Sequence, residues 1–177
     1  MNAPVPPNEK RRLEVLWKYD LLDTPRDETL DDLTELAAFI CQTPVALISL
    51  VDENRQWFKS RIGLTVTETA REISFCAHAI LNSDVMVVPD ALQDPRFAHS
   101  PLVTGSPFIR FYAGAPLVTP DGHALGTLCV TDREPRQLND GQVEALRKLA
   151  RVIMNFLELR RQLKGLSCVP IRQQSPG

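Results

Sequence analysis

The stretch Pro44–Gly63, PVALISLVDENRQWFKSRIG, decides the fold. Its first half is a nearly continuous apolar run, as in a strand covered on both faces. Asp52-Glu53-Asn54 is a polar turn, and RQWFKSRIG resumes with β-forming residues. The stretch therefore predicts a hairpin whose first strand is central and whose second is half exposed. Alternation along the second strand sends Trp57 and Phe58 to opposite faces, one toward a helix layer and one toward whatever covers the other face.

Upstream, Pro44 closes a helical region. Asn8 to Tyr19 has Leu13, Leu16 and Trp17 on one helical face. A second helix is expected to start at Thr24, with Pro25 in its first turn and Asp27 and Glu28 complementing the helix dipole. Leu33, Leu36, Ala37 and Ile40 continue it at helical spacing to about Cys41. Residues 1–7, with three prolines, are expected to be a disordered lead-in.

Downstream, Gly63–Ile73 is polar and Thr-rich and reads as a connecting loop. Ser74 caps a short helix, Phe75–Asn82, which leads into a strand at Val85–Val88. The segment from Ala98 to Ile109 carries Pro101, Gly105 and Pro107 and no periodicity beyond a turn of helix. A second hairpin then joins Phe111–Val118 to Ala124–Thr131 through Pro120-Asp121-Gly122. Gly114, Pro116 and Gly126 within it mark bulges, an edge or close backbone approach.

The last helix runs from about Asp140 to Leu163, with Asn139 and Gln142 at capping-box spacing and Gly165 at its end. It carries two apolar stripes. Val143, Leu146, Ala150, Ile153 and Leu157 form one; Leu149, Val152, Phe156, Leu159 and Leu163 form the other, about 100° around. One stripe suffices for docking on a sheet, so the second predicts packing against the first helix, a partner subunit, or both. The order implies an α+β layer: a largely antiparallel sheet with terminal helices on one face. One domain over residues 8–163 and a flexible tail over 164–177 complete this organisation.

The 177 residues are 44% hydrophobic and 24% charged with net charge −2, as in ordinary globular chains. Near-neutral charge gives no basis for a nucleic-acid surface. Cys41, Cys76, Cys129 and Cys168 have no paired CxxC spacing, and the first three lie in apolar runs, as buried thiols do. No run reaches the roughly 20 apolar residues of a membrane span. A cytoplasmic, reducing location follows as the expectation.

Chemistry concentrates in Glu72–Phe97, EISFCAHAILNSDVMVVPDALQDPRF. Cys76 and His78, two residues apart, lie about 200° apart on a helix and cannot act as one dyad there. Cys76 near a helix N-terminus is either a reactive, redox-sensing thiol or a packed one. Arg96 either clamps an anionic ligand or braces the loop through Asp90 or Asp94. Tyr112 offers a hydroxyl, and Phe97 and Phe111 line a cavity or seal the core. Hydrolase, kinase and zinc signatures are missing, so no enzymatic activity is expected.

Residues 11–163 resemble the GAF domains of bacterial sensors that precede histidine kinases and diguanylate cyclases. YDLLDTPRDETLDDLTELAAFICQTPVALISLVDENRQWFKS (19–60), REISFCAHAIL (71–81), VVPDALQDPRF (87–97), RFYAGAPLVTPDGHALGTLCVTDR (110–133) and the closing helix carry the resemblance. It implies a six-stranded antiparallel sheet ordered 2-1-5-4-3-6 or a close variant, roofed by the Cys76 helix and the 90–110 loop over a ligand cavity. Five strands are evident, leaving the sixth for Gly63–Ile73 or the neighbourhood of Arg110. The expected ligand contacts are Phe75, Cys76, His78, Asp90, Arg96, Phe97, Phe111, Tyr112 and Cys129.

The resemblance further implies a non-catalytic sensor in a two-component system. It would bind a small molecule and signal through terminal-helix packing in a homodimer to a kinase or cyclase effector. A thiol sensor or reductase using Cys76 and a ligand-free scaffold are the alternatives. Cys76 is followed by Ala77 rather than the histidine common at bilin sites, and the NKFDE string of cyclic-nucleotide-binding relatives does not occur. The cysteine cluster of free-methionine-sulfoxide reductases is not reproduced in the sequence. Haem ligation by His78, His99 or His123 rests on the histidines alone, so the cofactor stays unknown. No metal, nucleic acid or membrane partner is implied.

Overall fold

A computed structural model describes residues 3–167. Six strands form one antiparallel sheet in the order β3-β2-β1-β6-β5-β4. The strands are β1 (Val45–Val51), β2 (Arg55–Ile62), β3 (Glu68–Ala70), β4 (Met86–Val88), β5 (Phe111–Val118) and β6 (Ala124–Asp132). Helices α1 (Glu9–Lys18), α2 (Glu28–Cys41) and α5 (Asp140–Ser167) cover one face. The short α3 (Phe75–Ala79) and α4 (Pro101–Thr104) lie with their loops on the other. The expected α+β architecture is therefore observed. Without β3, the remaining five strands run 2-1-5-4-3 as anticipated. The sixth lies in the Gly63–Ile73 segment read as loop, on the edge beside β2 rather than beyond the third strand.

Alternation divides the core in two. Ala46, Ile48, Leu50 and Trp57 pack under the helices, while Leu47, Val51 and Phe58 face the roof. The β1–β2 register shifts at Ile48/Ser49, leaving Lys59 unpaired between Phe58 and Ser60. This bulge turns Lys59 and Ser60 toward the helices, where Lys59 Nζ donates to Thr24 Oγ1 and the Pro25 carbonyl and Ser60 Oγ to Asp31. Residues Gln56–Ser60 of β2 are buried, not half exposed. Gly126 explains itself in the same region: a Cβ there would stand 1.9 Å from the Ser49 carbonyl oxygen of β1.

Several helix boundaries differ from expectation. Asp27, not Thr24, caps α2, accepting from Leu30 N–H at 3.2 Å, while Thr24 Oγ1 donates to Leu21 C=O. Trp17 leaves the Leu13–Leu16 face; it is 51% exposed and its indole N–H donates to Asp52. Residues 71–73 form a 3-10 turn, and α3 stops at Ala79. Ala3, in the expected lead-in, donates its N–H to Glu72 C=O. Helix α5 runs through Gly165 to Ser167, so Gly165 does not end it. The rest of the tail, 168–177, lies outside the described residues.

Candidate functional site

The site is built around α3. Ser74 Oγ accepts from Ala77 N–H at 3.1 Å, fixing the first turn so that Cys76 drops onto the sheet. Its Sγ lies 3.8 Å from Cys129 Sγ in the middle of β6. Tyr112 of β5 sends its hydroxyl to Cys76 Sγ at 3.5 Å. The ring leans over Gly114, where a Cβ would stand 2.2 Å from that hydroxyl. Thr127, two residues before Cys129, carries a buried hydroxyl without a hydrogen bond of good geometry. Beside it, Gln56 Oε1 accepts from Ser74 Oγ at 2.5 Å and Ser49 Oγ at 3.3 Å, and Gln56 Nε2 donates to Thr69.

Aromatic rings close the roof. Phe75 stacks on Phe97 with centroids 4.1 Å apart and on Tyr112 at 5.1 Å. His78 meets Phe97 edge-on at 4.8 Å, and its Nδ1 lies 3.2 Å from the Ser74 carbonyl oxygen. Burial pushes its pKa down, partly offset by that carbonyl and reinforced by Arg96. As the helical geometry required, His78 faces the rim while Cys76 faces the sheet.

The rim charges are paired. Arg96 makes a two-pronged contact with Asp94, at 2.9 and 2.6 Å, and lies over Phe97. Asp90 takes Arg110 in a matching contact, both bonds at 2.8 Å. Hydrogen bonds from these guanidinium groups are the main reason both carboxylates lie below their ordinary range.

The structure thus brings Phe75, Cys76, Phe97, Tyr112 and Cys129 together in the roof core, with His78, Asp90 and Arg96 around it. Phe111 belongs to the opposite core, under the helices. The roof residues pack against one another. A cleft of about 290 Å³ instead opens on the helix side, between Val85 and Pro116 at the sheet edge and Arg147 and Met154 of α5. Sequence reasoning missed Ser49, Gln56 and Ser74 as one hydrogen-bonded group, with Thr127 opposite Ser49 on β6, and Arg110 as the partner of Asp90. Polar residues at positions 49 and 127, inside otherwise apolar strands, were the available signal. Among the described residues, no group of three or more His, Cys, Asp or Glu is placed to hold a metal ion, and no helix is long and apolar enough to cross a membrane.

The pattern of the GAF domain matches residues 25–157. This chain belongs to the GAF domain family. It is 47% identical over 152 residues to a protein of Pseudomonas aeruginosa named cyclic di-GMP phosphodiesterase. That match takes in 85% of this chain and 26% of the relative, so the chain spans about a quarter of the relative's length.

Solved structures share the fold. The GAF domain of an Acinetobacter phosphoenolpyruvate-protein phosphotransferase superposes with TM-score 0.65 at 16% identity, covering 90% of this chain and 98% of that one. The free methionine-R-sulfoxide reductase of Neisseria meningitidis gives 0.63 at 18%, covering 92% and 98%. A domain of a two-component sensor histidine kinase from Sinorhizobium meliloti gives 0.60 at 17%, covering 79% and 96%. The expectation of no enzymatic activity is corrected by the 47%-identical relative, whose name is that of an enzyme.

Proposed function

We propose that this GAF domain is the sensory and regulatory part of an enzyme that acts on cyclic di-GMP. The carrying observation is the 47% identity, over 85% of the chain, to a named cyclic di-GMP phosphodiesterase. The roofed face is the input. A small molecule bound there would part Phe75 from Phe97 and Tyr112, with Cys76, His78 and Cys129 beneath the roof and Asp90 and Arg96 at its rim. Sensing requires that it bind two arrangements of the domain unequally.

Helix α5 is the output, since it packs on the helix side of β5 and β6. Its second stripe supports contact with a second copy: Val152, Leu159, Leu163 and Leu166 are each about half exposed or more.

A chimera tests the reading. The matching 152-residue region of the Pseudomonas relative is replaced by that of this chain, and cyclic di-GMP hydrolysis is measured beside the parent and a deletion of the region. The chimera is expected to stay within about threefold of the parent while the deletion departs at least tenfold. Equal rates for all three would sink the regulatory role.

The packed roof favours a second reading, in which the domain dimerises without a ligand. Native mass spectrometry of the purified protein separates the two: a small molecule released only on denaturation supports sensing, and a bare dimer supports the second reading.

A further inference from the structure

Cys76 and Cys129 are 53 positions apart in the chain, yet their sulfurs are 3.8 Å apart. A disulfide needs about 2.05 Å, so less than 2 Å separates this contact from a bond. The two sides differ in freedom to move. Cys129 is clamped in the sheet, paired with Leu47 of β1 and Gly114 of β5. Cys76 rides on a five-residue helix held by one cap and by stacked rings. Closing the gap takes a shift of less than 2 Å, and the short helix rather than the sheet is the side to move.

Both sulfurs are buried, Cys76 at 3% and Cys129 at 0% exposure, which limits any oxidant to a small molecule. The Tyr112 hydroxyl reaches Cys76 Sγ at 3.5 Å. Burial pushes the Cys76 thiol up. Hydrogen bonding to its sulfur, with the Tyr112 hydroxyl among the donors, outweighs it and lowers the thiol overall. Cys129 is held well above the usual thiol range, chiefly by its hydrogen bond to Cys76 and by burial. The Tyr112 hydroxyl bonds to Cys76, which marks Cys76 as the nucleophile of the pair.

We propose that Cys76 and Cys129 form a reversible disulfide modification site whose oxidant is a small hydroperoxide. The Cys76 thiolate attacks the outer peroxide oxygen. An S–O bond forms, the O–O bond breaks, and the departing alkoxide takes up a proton to leave as alcohol, or as water from hydrogen peroxide. The Cys129 sulfur then attacks the Cys76 sulfenic acid. The S–S bond forms, and hydroxide leaves with the Cys129 proton as water. Two thiols lose two electrons in total and one peroxide gains them. The product fastens the roof helix to the centre of the sheet. It concerns the domain itself and holds whether or not a cyclic di-GMP enzyme is attached.

Cys41 supplies an internal comparison. It lies in the opposite core, as buried as Cys76 and Cys129, and burial pushes its thiol up to about 11. The full chain is reduced, freed of reductant and treated with a few equivalents of hydrogen peroxide. Non-reducing peptide mapping should then show a Cys76–Cys129 cross-linked peptide, about 2 Da lighter than the separate peptides and reversed by dithiothreitol. Both thiols should disappear at least tenfold faster than Cys41.

Cys129→Ser should halt at a sulfenic acid on Cys76 that dimedone captures, and Cys76→Ser should yield no dimedone adduct on Cys129. A full count of free thiols in the peroxide-treated wild-type chain would overturn the proposal, as would oxidation of Cys41 at the same rate. The mapping uses the unaltered chain, so its result holds even if a serine variant does not fold.

Discussion

Arg12 is 1% exposed, although it is one of twenty Lys and Arg residues in an otherwise ordinary chain. A buried guanidinium is tolerated only when its donors are met. Here Glu9 takes two of them at 2.7 and 2.8 Å, and the carbonyls of Val51 and Ala124 take others. Arg71 joins the same carboxylate. Burial alone would push Glu9 up, but hydrogen bonds from Arg12 and Arg71 outweigh it and hold the carboxyl down to about 2. Because this lies below the unfolded value of about 4.3, the contribution to stability is full above that pH and is lost as pH falls toward 2. Glu9→Gln should therefore cost about 3 kcal/mol at pH 7, by leaving buried cationic charge uncompensated. In urea titrations, the gap between variant and wild type should narrow steadily below about pH 4.3. A gap independent of pH would show that Glu9 acts through packing and not through its charge.

Among the elements, α5 shows what local spacing reveals and α2 what it conceals. Asn139 and Gln142 exchange side-chain and backbone bonds at 2.9 and 3.0 Å, the reciprocal cap that their three-residue separation predicts. Asn139→Ala should lower stability by about 1 kcal/mol, read from the urea midpoint. In α2, Thr24-Pro25 is the better start signal in isolation. It loses because Lys59, turned inward by the β2 bulge, engages Thr24, while Asp27 meets Arg160 of α5. Neither partner is visible from the α2 sequence. Gly126 was legible as an anomaly inside a strand, but the Ser49 carbonyl that forbids a side chain there belongs to β1. Gly126→Ala must push the two central strands apart, and a loss of more than about 3 kcal/mol is expected by denaturant unfolding. A near-neutral effect would mean that β1 and β6 do not run this close.

At the scale of the whole molecule, the division into a helix side and a roof side was legible at Trp57 and Phe58, which alternation sends to opposite faces, but not at Lys59 and Ser60, where the bulge turns both toward the helices. Closure of the roof was not legible. It depends on Phe75, Phe97 and Tyr112 turning toward one another from separate segments, and on two cysteines that only the sheet brings together. The two stripes of α5 were readable too, and the structure gives them different fates. Leu146, Ala150, Ile153 and Leu157 are buried on the sheet, whereas Leu149, Val152, Phe156, Leu159, Leu163 and Leu166 follow one another at alternating three- and four-residue steps along a more open face. Under the proposed dimer, a spacing of this kind lets a second copy of the helix pack along it as in a two-stranded coil. On the proposed dimer, Val152→Glu with Leu159→Glu places two charges on each side of the seam. Both positions are about half exposed in the single chain, at 47% and 57%, so folding should change little. Sedimentation equilibrium should show the wild-type chain as a dimer and the double variant as a monomer, at least tenfold weaker in association, with thermal midpoints within a few degrees. A wild-type chain that is already monomeric at tens of micromolar would remove α5 as the route by which the roof reports to a second copy.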